Sequence, residues 1–320
     1  MKILVIGGAG FVGANLVRRC LLDPNNRVTV LDSLDPKLRS SVASLRPVWD
    51  RIRFVRGNMG DEPLIAELVQ GQEVIFNCAG QTSHPLSLQD PIHDAEINCV
   101  ANLKLLEAVR LLNPSAVLVY TSSSTVIGKA VGDLIDESHG EKPLDIYSAN
   151  KGAAEKYYRI YNRVHDLKTV VLRFANLYGP HGKGYPEFGF VNYFLHLAWT
   201  NGEIQVYAPG SQRRNVMFVD DAAEVLYRAA LEPRLWGEVY FAAHDEHLSV
   251  RSIAESILQV LGRGSLKLVS WPDERKRIEV DDVKISSALL SNIIGFRPQF
   301  SFTEGLTRTL EVLERERSSR

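Results

Sequence analysis

The sequence predicts an α/β fold, a doubly wound parallel sheet with helices on both faces, followed by a smaller irregular α/β region. Three observations predict it. Six short β-branched apolar runs, at 3–6, 28–31, 52–55, 74–77, 117–121 and 169–173, alternate with longer helical patterns. Strands separated by helices of that length pair in parallel through right-handed crossovers. The runs are apolar almost throughout, which suits strands buried on both faces. Finally, the first run feeds a glycine-rich turn that opens directly into the first helix.

Element by element, the strand at 3–6 is followed by Gly7-Gly-Ala-Gly-Phe-Val-Gly13 and a helix over 11–22. The second strand ends in Leu31-Asp32, and the third, at 52–55, precedes a helix over 63–69. The fourth, at 74–77, leads to a helix over 95–112, and the fifth and sixth flank a helix over 147–165. Beyond Asn176 the regularity breaks, with Gly179, Pro180, Gly182, Gly184, Pro186 and Gly189 crowded together. Helices follow over 222–231 and 250–261, and a charged amphipathic one over 303–317. The expected division is a dinucleotide-binding unit over 1–178, with chain crossings after 178, and a mainly substrate-binding region over 179–320.

Composition narrows the function. The chain has 320 residues, 45% hydrophobic and 23% charged, as ordinary globular proteins have. Its 37 Lys+Arg against 38 Asp+Glu leave a net charge of -1, so nothing global recruits nucleic acid or an anionic membrane. Any anionic ligand is held locally. Cys20, Cys78 and Cys99 are far apart in apolar stretches, which fits buried thiols in a reducing compartment. The N-terminus lacks a signal-peptide pattern, and no run reaches the roughly 18 apolar residues of a membrane span. The expected location is cytoplasmic. No His/Cys/Asp/Glu cluster has ligand spacing, so no metal is expected.

The glycine turn carries the first chemistry. Gly7 permits the tight turn, Gly10 lets a pyrophosphate approach the backbone, and Gly13 lets helix and strand pack closely. The helix N-terminus adds free N–H groups and a positive dipole end. Asp32, closing the second strand, is placed to accept hydrogen bonds from an adenosine ribose and to repel a 2′-phosphate. This predicts NAD over NADP, with Lys37 and Arg39 able to soften the preference.

Tyr147 and Lys151 lie four residues apart, hence on one helical face. An ammonium and a positively charged nicotinamide would favour the phenolate, making a proton acceptor. Tyr120-Thr-Ser-Ser-Ser124 ends the fifth strand on the same rim as the glycine turn, where open α/β sheets bind ligands. A hydroxyl from that rim completes a Ser/Tyr/Lys arrangement suited to hydride chemistry.

With these residues the chain resembles an extended short-chain dehydrogenase/reductase, of the NAD-dependent nucleotide-sugar epimerase/dehydratase branch, nearly end to end. The resemblance implies a Rossmann-type sheet and a cofactor site at Gly7, Gly10, Phe11, Val12, Gly13, Asp32, Asn58, Met59, Ala79, Gly80, Asn98, Tyr147 and Lys151. The segments that carry it are Gly57-Asn-Met59, Asn77-Cys-Ala-Gly-Gln81 and Asn98, together with Arg173-Phe-Ala-Asn-Leu-Tyr-Gly-Pro180 on the substrate side. Alignment on Val126-Ile-Gly128 puts the catalytic hydroxyl at Ser123, with Ser122 and Ser124 beside it. The substrate would be a nucleotide diphosphate sugar. His84, Ser124 and Asn176 would contact it, Arg214 would fork onto the diphosphate, and Arg277 would add a phosphate contact. The family habit is a homodimer through the helices over 95–112 and 147–165.

Four departures stand out. Asn58 replaces the usual Asp, Ile127 an aromatic residue, and Asn215 the Asp that follows the phosphate-binding arginine. The fourth is the loss of the Asp-Glu pair that family dehydratases carry after the catalytic hydroxyl; here those positions are Ser124 and Thr125. Neither is a carboxylic acid, which disfavours elimination of water. The expectation is therefore epimerisation through a transient keto-sugar, at C4 as in UDP-glucose or UDP-glucuronate epimerases. A sugar-nucleotide ketoreductase and a CDP-sugar 2-epimerase are the alternatives, and a non-catalytic dinucleotide-binding scaffold is the reading from another class.

Overall fold

The computed structural model describes residues 1–129, 132, 134–272 and 282–318. In chain order the nucleotide-binding half runs β1 (Lys2–Ile6), α1 (Phe11–Cys20), β2 (Arg27–Asp32), β3 (Ile52–Arg56), α2 (Glu62–Leu68) and β4 (Val74–Asn77). It continues through α3 (His84–Gln89), α4 (Pro91–Ala95), α5 (Ala101–Leu112), β5 (Val117–Ser123), α6 (Ile146–His165), β6 (Lys168–Phe174) and β7 (Asn176–Tyr178). Then come α7 (Phe190–Trp199), β8 (Glu203–Tyr207), β9 (Arg213–Phe218), α8 (Val219–Ala230) and β10 (Val239–Ala242). The chain closes with β11 (His247–Ser249), α9 (Val250–Leu261), β12 (Ser265–Val269), α10 (Ala288–Ile294) and α11 (Phe302–Ser318).

The large sheet has the order β10-β6-β5-β4-β1-β2-β3 and is parallel throughout. This is the predicted Rossmann-type arrangement. Successive strand residues point to opposite faces, so each apolar run feeds two layers. Ile3 and Val5 pack with Leu16 and Val17 of α1 and Leu226 of α8. Leu4 and Ile6 pack with Ile65 of α2, Leu105 of α5 and Tyr158 of α6. A strand with both faces covered has no solvated side, which is why these runs carry no polar alternation.

One strand of this sheet was not legible in sequence. Val239–Ala242, only four residues long, returns from the second half and pairs in parallel with β6, Val239 opposite Val171 and Ala242 opposite Phe174. The helix before it, α8, lies against α1, where Arg19 pairs with Glu224 and sits 4.0 Å over the Tyr227 ring. The remaining strands form a three-stranded sheet, β11-β9-β7, and a pair, β12-β8. Phe194, Ile204, Val206, Ile253 and Ile257 make a separate apolar layer there.

The helix expected over 95–112 is interrupted. Residues Glu96–Val100 form a π-helical turn before α5, preceded by two short helices that begin at Ser83 and Asp90 caps. Such bulges widen the helix and occur often at functional sites. Here the turn carries Asn98. No helix among the described residues is long and apolar enough to cross a membrane.

Candidate active site

The cleft opens at the carboxyl ends of β1, β2, β4 and β5, bounded by Gly7, Gly10, Asp32, Asn58, Tyr147 and Lys151. At Gly7 φ is +75°, and a Cβ there would lie 2.6 Å from the Ala79 nitrogen. A Cβ on Gly13 would lie 2.2 Å from the Gly7 carbonyl oxygen. The two glycines therefore allow α1 and β4 to approach the turn, as the spacing predicts. The first turn of α1 has no acidic residue and no side-chain cap, which leaves its N–H groups for a ligand.

Asp32 is buried, and its oxygens accept from the backbone N–H of Ala9 at 3.0 Å and of Leu34 at 2.9 Å. Burial raises its pKa, with those two hydrogen bonds working against the rise. Each oxygen keeps a lone pair for a ribose hydroxyl. Asn58 accepts from Gly60 N–H through Oδ1 at 2.7 Å. Met59, Ala79, Gly80, Phe11 and Val12 also line the cleft. Asn98 donates to the Gln81 carbonyl at 2.8 Å, and its own buried Oδ1 has no hydrogen-bond partner. Such an orphaned acceptor fits a polar ligand or an ordered water beside it. Lys37 and Arg39 are both engaged, Lys37 with Asp90 at 3.0 Å and Arg39 over the Tyr185 ring at 3.6 Å.

Tyr147 and Ser123 both line the cleft, the Ser123 hydroxyl being the one neighbour that favours the ionised phenol. Ser123 Oγ is also 2.9 Å from Thr125 Oγ1, which in turn accepts from Ser148 Oγ at 2.9 Å. Ser122, one residue earlier and on the opposite side of β5, donates to buried Glu155. Strand alternation thus separates the two serines. Ser124 begins the short 3₁₀ turn Ser124–Ile127. Ile127 packs with Val126, Ala175 and Phe241 in a small apolar cluster.

Lys151 donates to the Thr121 carbonyl at 2.9 Å and lies 4.7 Å over the Tyr120 ring. Burial lowers its pKa to about 8, leaving it largely protonated at pH 7. For Tyr147 the electrostatics differ from the sequence expectation. Burial drives the phenol well above 10; the Ser123 hydroxyl opposes this, while Asp145, Asp94 and Glu155 add to it. The protein alone therefore keeps Tyr147 protonated, chiefly through burial, with three nearby carboxylates adding to it.

His84 stands edge-on to the Tyr147 ring at 4.9 Å, with Nδ1 2.5 Å from Asp145, the residue that caps α6. Its first partner is thus structural. Asp94, fully buried, accepts from Gln81 and Asn150, both at 2.8 Å, and ties the β4 loop to α6. That buried carboxylate escaped the sequence reading, since only its exposure distinguishes it.

The Arg173–Pro180 motif divides. Arg173 points away from the cleft into Glu155 and Glu141, whereas Phe174 to Leu177 line it. Tyr178 is buried, its hydroxyl donating to the Phe302 carbonyl at 3.2 Å. Asn176 donates one amide hydrogen to the Asn215 carbonyl at 3.1 Å. Arg214, on β9, donates to the Arg213 carbonyl at 2.8 Å. Arg277 lies outside the described residues. Asn215 has a plain structural reason: its buried amide donates to the His244 carbonyl at 2.8 Å and accepts from Ile285 N–H at 2.7 Å. An aspartate could not donate there.

The model of the NAD dependent epimerase/dehydratase family matches residues 3–241. The chain belongs to that family. It is 29% identical over 97% of its length, and 98% of the relative's, to the UDP-glucose 4-epimerase of Mycolicibacterium smegmatis. Against the dTDP-glucose 4,6-dehydratase of Streptomyces niveus it is 32% identical, over 97% of this chain and 92% of the other. Among solved structures, the UDP-glucose 4-epimerase of Thermus thermophilus in complex with NAD superposes with a TM-score of 0.86. That match has 26% identity and covers 98% of this chain and 99% of that one. This family member is thus an NAD-dependent enzyme of nucleotide-sugar epimerase or dehydratase type.

Burial also silences two thiols of this family member. Cys20 and Cys78 are both pushed up to about 12, so at pH 8 the thiolate fraction is of order 10⁻⁴. Iodoacetamide at pH 8, followed by peptide mass spectrometry, should leave both unmodified in the folded protein and label them once it is unfolded.

Proposed function

We propose that the protein epimerises the sugar of a nucleotide diphosphate sugar, at C4, through a transient keto-sugar. The observation that carries this reading is that Ser123, Tyr147 and Lys151 line one cleft, with Ser124 and Thr125 where elimination of water would need a carboxylic acid. Thr125 instead holds Ser123 and Ser148 by its hydroxyl.

A dinucleotide held by the Gly7–Gly13 turn, Asp32 and Asn58 would supply a positive nicotinamide that favours the phenolate and a reversible hydride acceptor for the carbinol carbon. Tyr147 takes the hydroxyl proton at Oη and later returns it. Ser123 Oγ orients the sugar oxygen. Lys151, one helical turn from Tyr147 and held on the Thr121 carbonyl, would offer its ammonium to the bound ligand at neutral pH. Asn176 and Arg214 hold the diphosphate, and the keto-sugar turns between the two faces before the oxygen is reprotonated. Residues 1–178 hold NAD in this scheme, and 179–320 mainly hold the sugar nucleotide, although α8 and β10 return to support the first unit.

The test is incubation of the purified holoenzyme with UDP-, GDP-, CDP- and dTDP-linked hexoses, products being resolved by stereochemistry. A 4-epimer formed without net NADH supports the proposal. Stoichiometric NADH consumption would instead indicate a ketoreductase, a 2-epimer the CDP-sugar alternative, and a 4-keto-6-deoxy product a dehydratase.

We propose further that the enzyme is a cytoplasmic homodimer. Its three cysteines are free, as a reducing compartment would keep them. Val100 at the end of the π-helical turn, Leu103 of α5, and Ile160 and Val164 of the adjoining α6 stand exposed, Ile160 at 51% and Val164 at 63%. Each such side chain is worth about 1.5–3 kcal/mol when fully buried. The double substitution Ile160→Glu/Val164→Glu should weaken the dimer by at least about 100-fold, read as monomer in sedimentation velocity at micromolar concentration. A dimer of unchanged strength would place the interface elsewhere.

A further inference from the structure

Three contacts draw the segment after β7 across the adenosine end of the cleft. Asn15 donates to the Pro180 carbonyl at 3.1 Å. The Lys183 ammonium donates to the Leu38 carbonyl, in the loop that follows Asp32, and lies 4.4 Å over the Phe188 ring. The Arg39 guanidinium stacks 3.6 Å over the Tyr185 ring. Lys183 lines the cleft together with Asp32, Asp35 and Leu38. Burial lowers its pKa to about 8, and Asp32 and Asp35 oppose that fall, which places its charge within reach of both carboxylates.

We propose that Lys183 is a cofactor-binding residue, its ammonium donating to the adenosine ribose hydroxyls that donate to Asp32. A hydroxyl both donates and accepts, whereas an ionised carboxylate only accepts and an ammonium only donates. Asp32 and Lys183 together satisfy both functions of the ribose. The four-carbon lysine stem lets the ammonium swing from the Leu38 carbonyl to the sugar without moving the backbone. The segment between Gly179 and Gly189 also carries Phe188 and Gly189 to the cleft wall, and Phe190 and Val191 of α7 continue that wall. The substrate half of the chain is thereby fastened over the cofactor, which holds the dinucleotide through turnover.

The release rate of NAD from the holoenzyme, measured by dilution into an NAD-trapping dehydrogenase, tests this. Lys183→Met should release NAD roughly 10–100-fold faster, the range expected for loss of a charged hydrogen bond. Lys183→Arg should restore retention, and Tyr185→Ala, which keeps the ammonium but removes the Arg39 platform, should speed release by a smaller factor. With a dinucleotide whose adenosine lacks both ribose hydroxyls, the Lys183→Met effect should fall below about threefold. Release from Lys183→Met at the unaltered or a slower rate, in protein shown folded by its melting curve, overturns the proposal. So does an equal effect on the dideoxy dinucleotide. Should Lys183→Met not fold, Lys183→Gln carries the same test with the same two outcomes.

Discussion

Replacing Tyr147 by phenylalanine is expected to lower kcat by roughly 10²–10⁴-fold while NAD stays bound and the protein stays folded. The substitution removes one oxygen and little else. The ring keeps its edge contact with His84 at 4.9 Å, and Ser123 Oγ keeps Thr125 Oγ1 at 2.9 Å, so no buried polar atom is orphaned. What disappears is the atom that takes the sugar proton. Because the surrounding protein raises the phenol pKa by burial and by Asp145, Asp94 and Glu155, phenolate is scarce without a cationic neighbour at the carbinol. Steady-state assay of the epimer, with bound NAD counted by absorbance, checks the expectation. Retention of most of the activity would remove Tyr147 from the chemistry. Ser123→Ala should show a smaller loss of kcat, since the hydroxyl orients the oxygen and moves no proton of its own.

The second large effect is on stability. Arg173→Met is expected to destabilise the fold by about 3–5 kcal/mol, because it leaves the Glu155 carboxylate charged and only 1% exposed. Arg173 Nε lies 3.0 and 3.1 Å from the two Glu155 oxygens, and Nη2 reaches Glu141 at 2.7 Å. Ser122 shares the Glu155 carboxylate, so the cluster also fixes the end of β5 that presents Ser123. Urea unfolding measures the loss. The double variant Arg173→Met/Glu155→Leu should recover part of it, since the buried charge leaves with its partner. Equal stability of Arg173→Met and the unaltered protein would mean that the cluster is far wetter than its burial indicates.

How legible this was in the sequence differs from residue to residue. The six strands of the first half could be read because most of their positions are buried on one face of the sheet or the other, so the runs are mainly apolar and the signal is dense; even edge strand β3, with Arg53 exposed, keeps Ile52, Phe54 and Val55 against the core. The glycine turn could be read because Gly7 and Gly13 occupy places where a Cβ meets backbone atoms, a requirement that acts locally. Tyr147 and Lys151 could be read because one helical turn brings i and i+4 together. Ser123 needed strand parity as well: Ser122 and Ser123 are chemically alike, and only the direction each faces from β5 separates them.

The sequence by itself thus determined the doubly wound sheet, the dinucleotide turn and the helical Tyr/Lys pair, all of which depend on short-range periodicity or on steric demands between near neighbours. The tertiary structure alone decided that Val239–Ala242 closes the sheet edge and that Arg173 serves Glu155 rather than a ligand. It also decided that Asn215 must donate to the His244 carbonyl, and that Lys183 reaches across 145 positions to Leu38. Each of these rests on a partner far away in the chain, where the deciding quantity is which charge or polar group must be satisfied once water is excluded. That demand does not exist until the chain has folded, so no local pattern of residues can carry it.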